Sequence, residues 1–356
     1  MRSITIRVFI AAVLLTASFS TVRTTFAQDW APDIPTVNAT GNQRAFMVFF
    51  ENDMFADTDR YYTNAVKFTV LSRDLEEYRQ YEPTQKLLNL IEKAPFVNQP
   101  GLTRNIGFSI GQDIFTPSDI EREDLQEDER PYAGWTYLSV ALHSKNSTRL
   151  DTFETSLGIV GPASFAEQAQ NTVHEIKDIP TAEGWEHQLE NEPGVMFTWQ
   201  RSWRTHRHDG VNNWDWDAMP HFGGTIGNVM TYANFGYEIR YGYDIPDDFG
   251  TALIKPGAAV GAPGGKHGSS IKKIIGAHTF LGFDVRAIAR NIFLDGNTFA
   301  DSHSVEKNPV VFDIYSGLSV QWGSAKLTYT WVLRSWEFAE QDTPQVFGSL
   351  SLIWPF

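Results

Sequence analysis

The sequence predicts an all-β protein: a transmembrane antiparallel β-barrel of about 12 strands, with a short extracellular helix near residues 163–177. Three observations lead to this prediction. Large apolar residues alternate with small or polar ones along most of the chain, the first residues form an export signal, and aromatic residues are abundant, at 13% with 11 Trp. Amphipathic rings collect where a membrane meets water, so this composition suits a membrane-spanning wall.

Residues 1–27 have the features of a secretory signal peptide. Arg2 and Arg7 precede an apolar run, and small residues ending at Ala27 provide a cleavage site. We therefore expect the barrel domain to occupy residues 28–356. The chain has no cysteine, so disulfides cannot hold this exported domain together.

Charge and hydropathy exclude two further classes of protein. The formal net charge is −14 at pH 7, whereas a nucleic-acid partner would require a basic face. After the signal peptide no run of 18 apolar residues occurs, so no transmembrane helix is expected. Barrels of this size are stable as monomers, and we expect a monomer surrounded by outer-membrane lipid.

The strands are predicted from alternation with a period of two residues. The stretches NAVKFTV (64–70), NIGFSIGQ (105–112) and FGYEIRYGY (235–243) each place apolar residues on one face and small or charged residues on the other. Such a wall has to close, because an open edge in hydrocarbon leaves backbone groups unpaired. The runs lie near 44–52, 61–73, 102–114, 132–145, 149–161, 193–206, 216–229, 233–243, 275–296, 307–322, 324–338 and 344–356.

Strand parity predicts which connections share one end of the barrel. If the first strand starts in the periplasm, segments 53–60, 115–131 and 162–192 lie outside, and the short turns at 144–148 and 323–325 lie inside, as barrels prefer. The long stretch 244–274 also falls inside. Either the count is wrong by one strand, or this stretch is an unusual periplasmic insertion.

One stretch, PASFAEQAQNTVHEIK (162–177), is predicted to be helical. It has Pro at its start, good helix formers and no Gly. Gln170 and His174 are four residues apart and share one helix face. A neutral histidine can take a proton from water near pH 7, and a glutamine one turn away can orient that water. A packing role for a single helix histidine is the more common alternative.

The stretch ENDMFADTDRYYTN (51–64) contains more oxygen donors than a turn requires. Asn52 and Asp53 end the first strand and Thr63 begins the second, so these side chains can face one cavity. Carboxylate, amide and hydroxyl oxygens suit Ca²⁺. The spacing does not fit an EF-hand, and a solvated loop is the alternative interpretation.

Three basic residues are candidates for binding an anion. Arg122 and Arg130 stand out in an acidic connection, and either could hold a phosphate or carboxylate with two parallel bonds. Arg130, next to a strand start, could instead form a structural salt bridge. Lys67 is predicted to point into the barrel and is a further anion-binding candidate.

Six motifs in order, ENDMF, TDRYYTN, GQDIFTP, RPYAGW, GPASFAEQAQNTVH and GWEHQLENEP, resemble the lipid A 3'-O-deacylase family of outer-membrane proteins. The resemblance implies a calcium-dependent esterase near the outer leaflet that removes the 3'-linked acyloxyacyl group from lipid A. At the position of Phe165 the family commonly has Gly.

The resemblance also implies roles for individual residues. Asn52, Thr63, Gln170 and His174 match the catalytic positions, with His174 as the general base that activates water. Arg122 matches a phosphate contact; Lys67, a candidate from its inward position and not from the family motif, is the second expected substrate contact. Asp53 is the expected calcium ligand, together with one further acid, for which Glu175, Asp178 and Glu186 are candidates and Glu186 is preferred.

Two other functions remain alternatives from the sequence alone. An outer-membrane phospholipase would use the same scaffold on glycerophospholipids. A non-catalytic porin or adhesion barrel would keep the strands and need neither Ca²⁺ nor His174.

Overall fold

The computed structural model describes residues 43–53, 61–78, 99–208, 211–251, 253–254, 275–323 and 325–356, and the signal peptide lies outside this part of the chain. Its regular elements are β-strands and two α-helices. The strands are β1 Ala45–Asn52, β2 Tyr61–Leu71, β3 Thr103–Thr116, β4 Ala133–Lys145, β5 Arg149–Val160, β6 Glu192–Trp203, β7 His206–His208, β8 Trp214–Gly227, β9 Met230–Tyr243, β10 Ile275–Asn291, β11 Val310–Trp322, β12 Ala325–Arg334 and β13 Gln345–Pro355. The helices are α1 Ala166–Lys177 and α2 Ile292–Asp295.

The strands form a closed antiparallel sheet. Each strand pairs with its sequence neighbours, β1 closes on β13 with Ala45 opposite Pro355, and β6 pairs with β8. The short strand β7 also pairs with β8 and continues the line of β6 after a break at residues 204–205. The wall therefore contains 12 strand positions, which confirms the predicted 12-stranded barrel.

The outward face of the wall is apolar. Phe68, Ile110, Leu138 and Leu157 are direct cross-strand neighbours, and each of them is exposed. At one end of the barrel, aromatic side chains at strand ends are exposed as well, as expected for an interfacial girdle. These are Trp214, Tyr243, Trp322 and Trp354.

The inward face is charged and paired. Lys67 on β2 binds Glu154 on β5 at 2.6 Å across the barrel interior, and Arg334 on β12 binds Asp313 on β11 at 2.9 Å. Arg240 binds Asp217 at 2.6 Å between β9 and β8. Because these charges are buried and their partners come from different strands, the interior is held by ion pairs between strands.

The two ends of the barrel differ in their connections. The turn at 146–148 and Gly323 after β11 lie at one end, and the connections that carry α1 and α2 lie at the other, which we call the α1 end. Long connections are typical of the extracellular end of outer-membrane barrels. None of the helices that the structure describes is both long enough and apolar enough to span a membrane.

The connection after β9 starts at the end opposite α1, as strand parity predicts. Its described residues, 244–251 and 253–254, turn back into the barrel. Ile254 is buried and belongs to the same apolar cluster as Phe115, Phe293 and Phe347 near the α1 end. We call residues 244–251 and 253–254 the lumenal segment, because they contact inward-facing side chains of the wall.

Candidate active site

Helix α1 begins later than the sequence predicts. Residues 162–164 form a single 3₁₀ turn, and Phe165 then adopts a left-handed backbone conformation with φ of 58° before α1 starts at Ala166. The predicted helix from 162 was therefore too long at its N-terminus. Glycine reaches this conformation without the strain that a Cβ atom introduces, so the chain turns sharply here in spite of its side chain.

Helix α1 lies against the outward face of β3 and β4. Gln112 and Thr136 both face outward, and their side chains donate to the carbonyl of Ser164 at 2.8 and 2.7 Å. Gly134 makes room for the helix: a Cβ atom there would lie 2.2 Å from that of Ala166. The α1 connection is thus fixed to the lipid-facing side of the wall.

His174 is buried on the face of α1 that is turned toward the protein. After the helix, Asp178 adopts a left-handed conformation and reverses the chain. The reversal brings the carbonyl of Pro180 within 2.6 Å of His174 Nδ1. A carbonyl only accepts, so Nδ1 carries a proton, and in the neutral ring Nε2 then carries the lone pair.

Gln170 lies one turn earlier on the same buried face of α1. Trp185, in the 3₁₀ turn Gly184–His187, donates its indole N–H to Gln170 Oε1 at 3.1 Å. This bond fixes the orientation of the amide. Gln170 Nε2 is buried and has no hydrogen-bond partner among the described residues, so it is a donor available to an oxygen of a substrate.

Asn52 and Thr63 belong to the same outward face, on the adjacent strands β1 and β2, of which β2 pairs with β3. Asn52 follows the outward alternation of β1 and is paired with Asn64. Thr63 is the extra residue of a β-bulge, and its hydroxyl lies 2.7 Å from that of Thr116 on β3.

An apolar cluster connects these strands to α1. Ile114, two residues before Thr116 and opposite Asn64, packs with Ala166 and Trp185. The structure therefore brings Asn52, Thr63, Gln170 and His174 to one face and one end of the barrel. We call this surface the α1 groove.

The two predicted metal ligands are placed differently. Asp53 directly follows β1 and is fully buried. Glu186 is on the surface, with 73% of its side chain exposed, and it lies 3.4 Å from His187. Among the described residues no group of three or more His, Asp or Glu side chains could hold a metal ion. The donors of Asn52, Asp53 and Thr63 are hard oxygens, which fits Ca²⁺, whereas Glu186 does not join them.

The predicted anion-binding residues are also separated. Lys67 points into the barrel, as predicted, where Glu154 binds it, so the wall lies between Lys67 and the α1 groove. Arg122 is exposed, and its backbone carbonyl lies against Gly184, next to Trp185.

Arg130 is buried and pairs with Glu337 at 3.2 Å. This placement agrees with the alternative interpretation of Arg130, in which it forms a structural salt bridge. Burial lowers the pKa of the Arg130 guanidinium from its ordinary value, and the charge of Glu337 opposes that shift.

Several residues of the groove were not identified from the sequence. Trp185 orients Gln170, the Pro180 carbonyl sets the tautomer of His174, and Gln112 and Thr136 fix the chain before α1. Gln112 and Thr136 could have been found from the sequence, because they are polar residues at outward positions of an otherwise apolar wall. The contacts of Trp185 and Pro180 depend on the reversal after α1, which the sequence pattern does not show.

Fold and surface together define an outer-membrane β-barrel with buried polar side chains where an external helix meets the wall. The solved structure of "LpxR from Salmonella typhimurium" matches 88% of this chain and 100% of its own, with a TM-score of 0.70 and 16% identity. The beta domain of the Bordetella autotransporter BrkA matches 89% of this chain and 99% of its own, with a TM-score of 0.42 and 8% identity. A comparison with functionally curated proteins found no match.

The family model described as "Outer membrane protein LpxR" matches residues 9–356. The chain therefore belongs to the LpxR family of outer-membrane proteins, the lipid A 3'-O-deacylases, and it is a hydrolase of the outer membrane. The non-catalytic alternative does not fit this membership.

Proposed function

We propose that the protein is a calcium-dependent esterase that removes the 3'-linked acyloxyacyl group from lipid A in the α1 groove, with His174 as the general base. The observation that carries the proposal is the bond from His174 Nδ1 to the Pro180 carbonyl. It leaves the Nε2 lone pair as the proton acceptor on a buried helix face that is turned toward the wall.

The chemistry of the proposal is ester hydrolysis. His174 Nε2 takes a proton from a water molecule, and the water oxygen forms a bond to the ester carbonyl carbon. The tetrahedral intermediate then collapses, the bond to the sugar oxygen breaks, and His174 returns the proton to that oxygen. Gln170 Nε2 donates to an oxygen of the reacting group, and Asn52 and Thr63 orient the water and the carbonyl.

Asp53 and Asn52, neighbours at the end of β1, carry the oxygens proposed to hold Ca²⁺. When bound, Ca²⁺ supplies positive charge near the developing oxyanion. Removal of one oxyanion stabiliser elsewhere costs about 3–4 kcal/mol of transition-state stabilisation. Asp53 is buried at the end of β1, whereas the carboxylate of Glu186 is exposed. Asp53 is thus the preferred calcium ligand of the two.

The substrate reaches the α1 groove from the membrane. Val173 and Ile176 on α1 and Phe165 just before it are exposed. On the wall, Ile110 of β3 and Leu138 of β4 are exposed on the same strands that α1 contacts. An amphipathic helix of this kind lies at the boundary of headgroups and acyl chains. Acyl chains can thus approach along the apolar wall while the headgroup stays at the α1 end.

Arg122 is the proposed contact for a glucosamine phosphate. Its backbone lies beside the 3₁₀ turn that carries Trp185, and its guanidinium is exposed to the solvent that bathes headgroups. A guanidinium binds phosphate through two parallel N–H bonds. Lys67 has no part in this proposal, because it lies inside the barrel.

The experiment compares two lipids with one preparation of the protein in detergent with Ca²⁺. Lipid A and a glycerophospholipid are offered separately, and released acyl groups are identified by mass spectrometry. The proposal expects release from lipid A at the 3' position alone. Release from the glycerophospholipid in place of lipid A would establish the phospholipase alternative.

A further inference from the structure

The lumenal segment makes polar contacts along the length of the barrel. At the end opposite α1, Asp247 binds Arg204 at 3.1 Å, and the Asp248 carboxylate lies against Arg240 and Lys326. Further along, the N–H of Thr251 donates to both carboxylate oxygens of Glu238, at 3.2 and 3.1 Å.

The segment ends on β1 and β2 at the α1 end. The N–H of Ile254 donates to Glu51 Oε1 at 2.6 Å, and the Tyr62 hydroxyl donates to Glu51 Oε2 at 2.9 Å. The same hydroxyl lies 3.3 Å from the Ile254 carbonyl. All three residues are buried. Two short bonds to one buried carboxyl group fix the orientation of that group and of the chain that contacts it.

Glu51 and Tyr62 are the lumen-facing neighbours of two groove residues. Glu51 precedes Asn52, and Tyr62 precedes Thr63, so each pair sits on opposite sides of a wall that is one chain thick. Glu51 and Asn52 point to opposite faces by the alternation of β1. At the bulge, the Tyr62 ring packs with Phe115 on the lumenal face, whereas the Thr63 hydroxyl lies beside Thr116 on the outward face. A displacement of Glu51 or Tyr62 therefore displaces Asn52 or Thr63 on the other face.

The backbone at Thr63 requires support from the lumen. Thr63 is the extra residue of the bulge, where the ladder between β2 and β3 is locally disrupted. The ring of Tyr62 packs against those of Phe115 and Phe347, with centroid separations of 5.4 and 5.2 Å. The Tyr62 carbonyl also accepts a 3.0 Å hydrogen bond from the Gln345 side chain.

We propose that Glu51 and Tyr62, clamped by Ile254 of the lumenal segment, are positioning residues that hold Asn52 and Thr63 in the geometry needed for catalysis. We call this arrangement the lumenal clamp. The inference rests on the proposed function of the α1 groove. It assigns a catalytic role to the inside of the barrel, although the substrate stays outside.

The test compares Glu51→Ala with the matched control Glu238→Ala, using kcat and KM for lipid A. Both changes remove a carboxylate that accepts a backbone N–H of the lumenal segment, but Glu238 lies on β9, away from the groove. Small misplacements of catalytic groups are costly, so Glu51→Ala is expected to lower kcat by about tenfold or more with KM changed by less than about twofold. Glu238→Ala is expected to keep kcat within about twofold.

Two milder variants serve as controls for misfolding of Glu51→Ala. Glu51→Gln keeps an oxygen for the N–H of Ile254 and is expected to recover most of the lost kcat. Tyr62→Phe removes only the hydroxyl and is expected to fall between Glu51→Ala and the native protein. Equal losses of kcat in Glu51→Ala and Glu238→Ala, or no loss in Glu51→Ala, would overturn the lumenal clamp.

Hydrogen–deuterium exchange separates a failure of the clamp from a failure of the proposed function. In Glu51→Ala the amides of segments 45–53 and 61–66 are expected to exchange faster, whereas Glu238→Ala leaves them unchanged. If the native protein does not deacylate lipid A, the proposed function fails, and exchange still decides whether the clamp orders these strand ends. Unchanged exchange in Glu51→Ala would overturn the clamp even where lipid A is deacylated.

Discussion

Replacement of His174 by Ala tests the base directly. A positioned general base contributes about 10²- to 10⁴-fold to a rate, which is about 3–5 kcal/mol of transition-state stabilisation. The change also leaves the Pro180 carbonyl without its 2.6 Å bond, at a cost of about 1–3 kcal/mol to the folding of the α1 connection. Helix α1 lies outside the ladder of strands, so the barrel should remain closed.

The assay for His174→Ala is the initial rate of acyl release from lipid A, with heat-modifiable gel mobility as the check on folding. We expect a rate at least about 100-fold lower than that of the native protein, with unchanged mobility. His187→Ala is the matched control, because His187 is a partly exposed histidine in the same connection, and it should retain its rate. A folded His174→Ala protein within about tenfold of the native rate would refute His174 as the base.

Five further substitutions have expected results. Lys67→Met leaves a buried carboxylate unpaired, so urea unfolding should show a loss of about 3–5 kcal/mol with an unchanged KM for lipid A; a raised KM with native stability would return Lys67 to substrate binding. Asp53→Asn should raise the Ca²⁺ concentration for half-maximal activity, whereas Glu186→Gln should not, because Glu186 is exposed; the opposite ranking in a calcium titration would contradict the site. Phe165→Gly relieves a left-handed backbone by about 1 kcal/mol, so amides of α1 should exchange more slowly; faster exchange would show that the ring stabilises the turn. A spin label on Ile176→Cys, in a chain without other cysteines, should be relaxed by oxygen more than by a water-soluble nickel complex, and the reverse would place α1 away from the acyl chains.

Much of the wall could be predicted because one property, period-two alternation, determines it. The runs predicted at 61–73 and 149–161 correspond to β2 at Tyr61–Leu71 and β5 at Arg149–Val160. The inward direction of Lys67 followed from the same alternation. Its partner Glu154, 87 residues away, could not be predicted, since alternation gives the face of a residue and not the register between strands.

Local backbone events limited the prediction of the site. The spacing of Gln170 and His174 was sufficient to place both on one face of α1, and the structure buries that face. The start of α1 was missed because a non-glycine residue, Phe165, takes the left-handed conformation. Glu186 was preferred as a ligand by its position in a motif, but the turn Gly184–His187 directs Trp185 inward and leaves Glu186 exposed.

The path of the lumenal segment could not be predicted from the sequence pattern alone. Strand parity placed 244–274 at the end opposite α1, and the connection does start at that end; residues 252 and 255–274 lie outside the part of the chain that the structure describes. Its return into the barrel depends on Asp247, Asp248 and the backbone of Thr251 and Ile254 meeting partners on distant strands. Those contacts are tertiary, and no repeat or motif in a Gly-rich stretch indicates them.

The most direct test is the mass of lipid A after incubation with the purified native protein, in Ca²⁺ and in EDTA. The proposed site predicts a loss equal to one acyloxyacyl unit in Ca²⁺ and an unchanged mass in EDTA. An unchanged mass in both, with the barrel shown to be folded, would contradict deacylation in the α1 groove. The same loss in both would contradict the role of Ca²⁺ at Asp53.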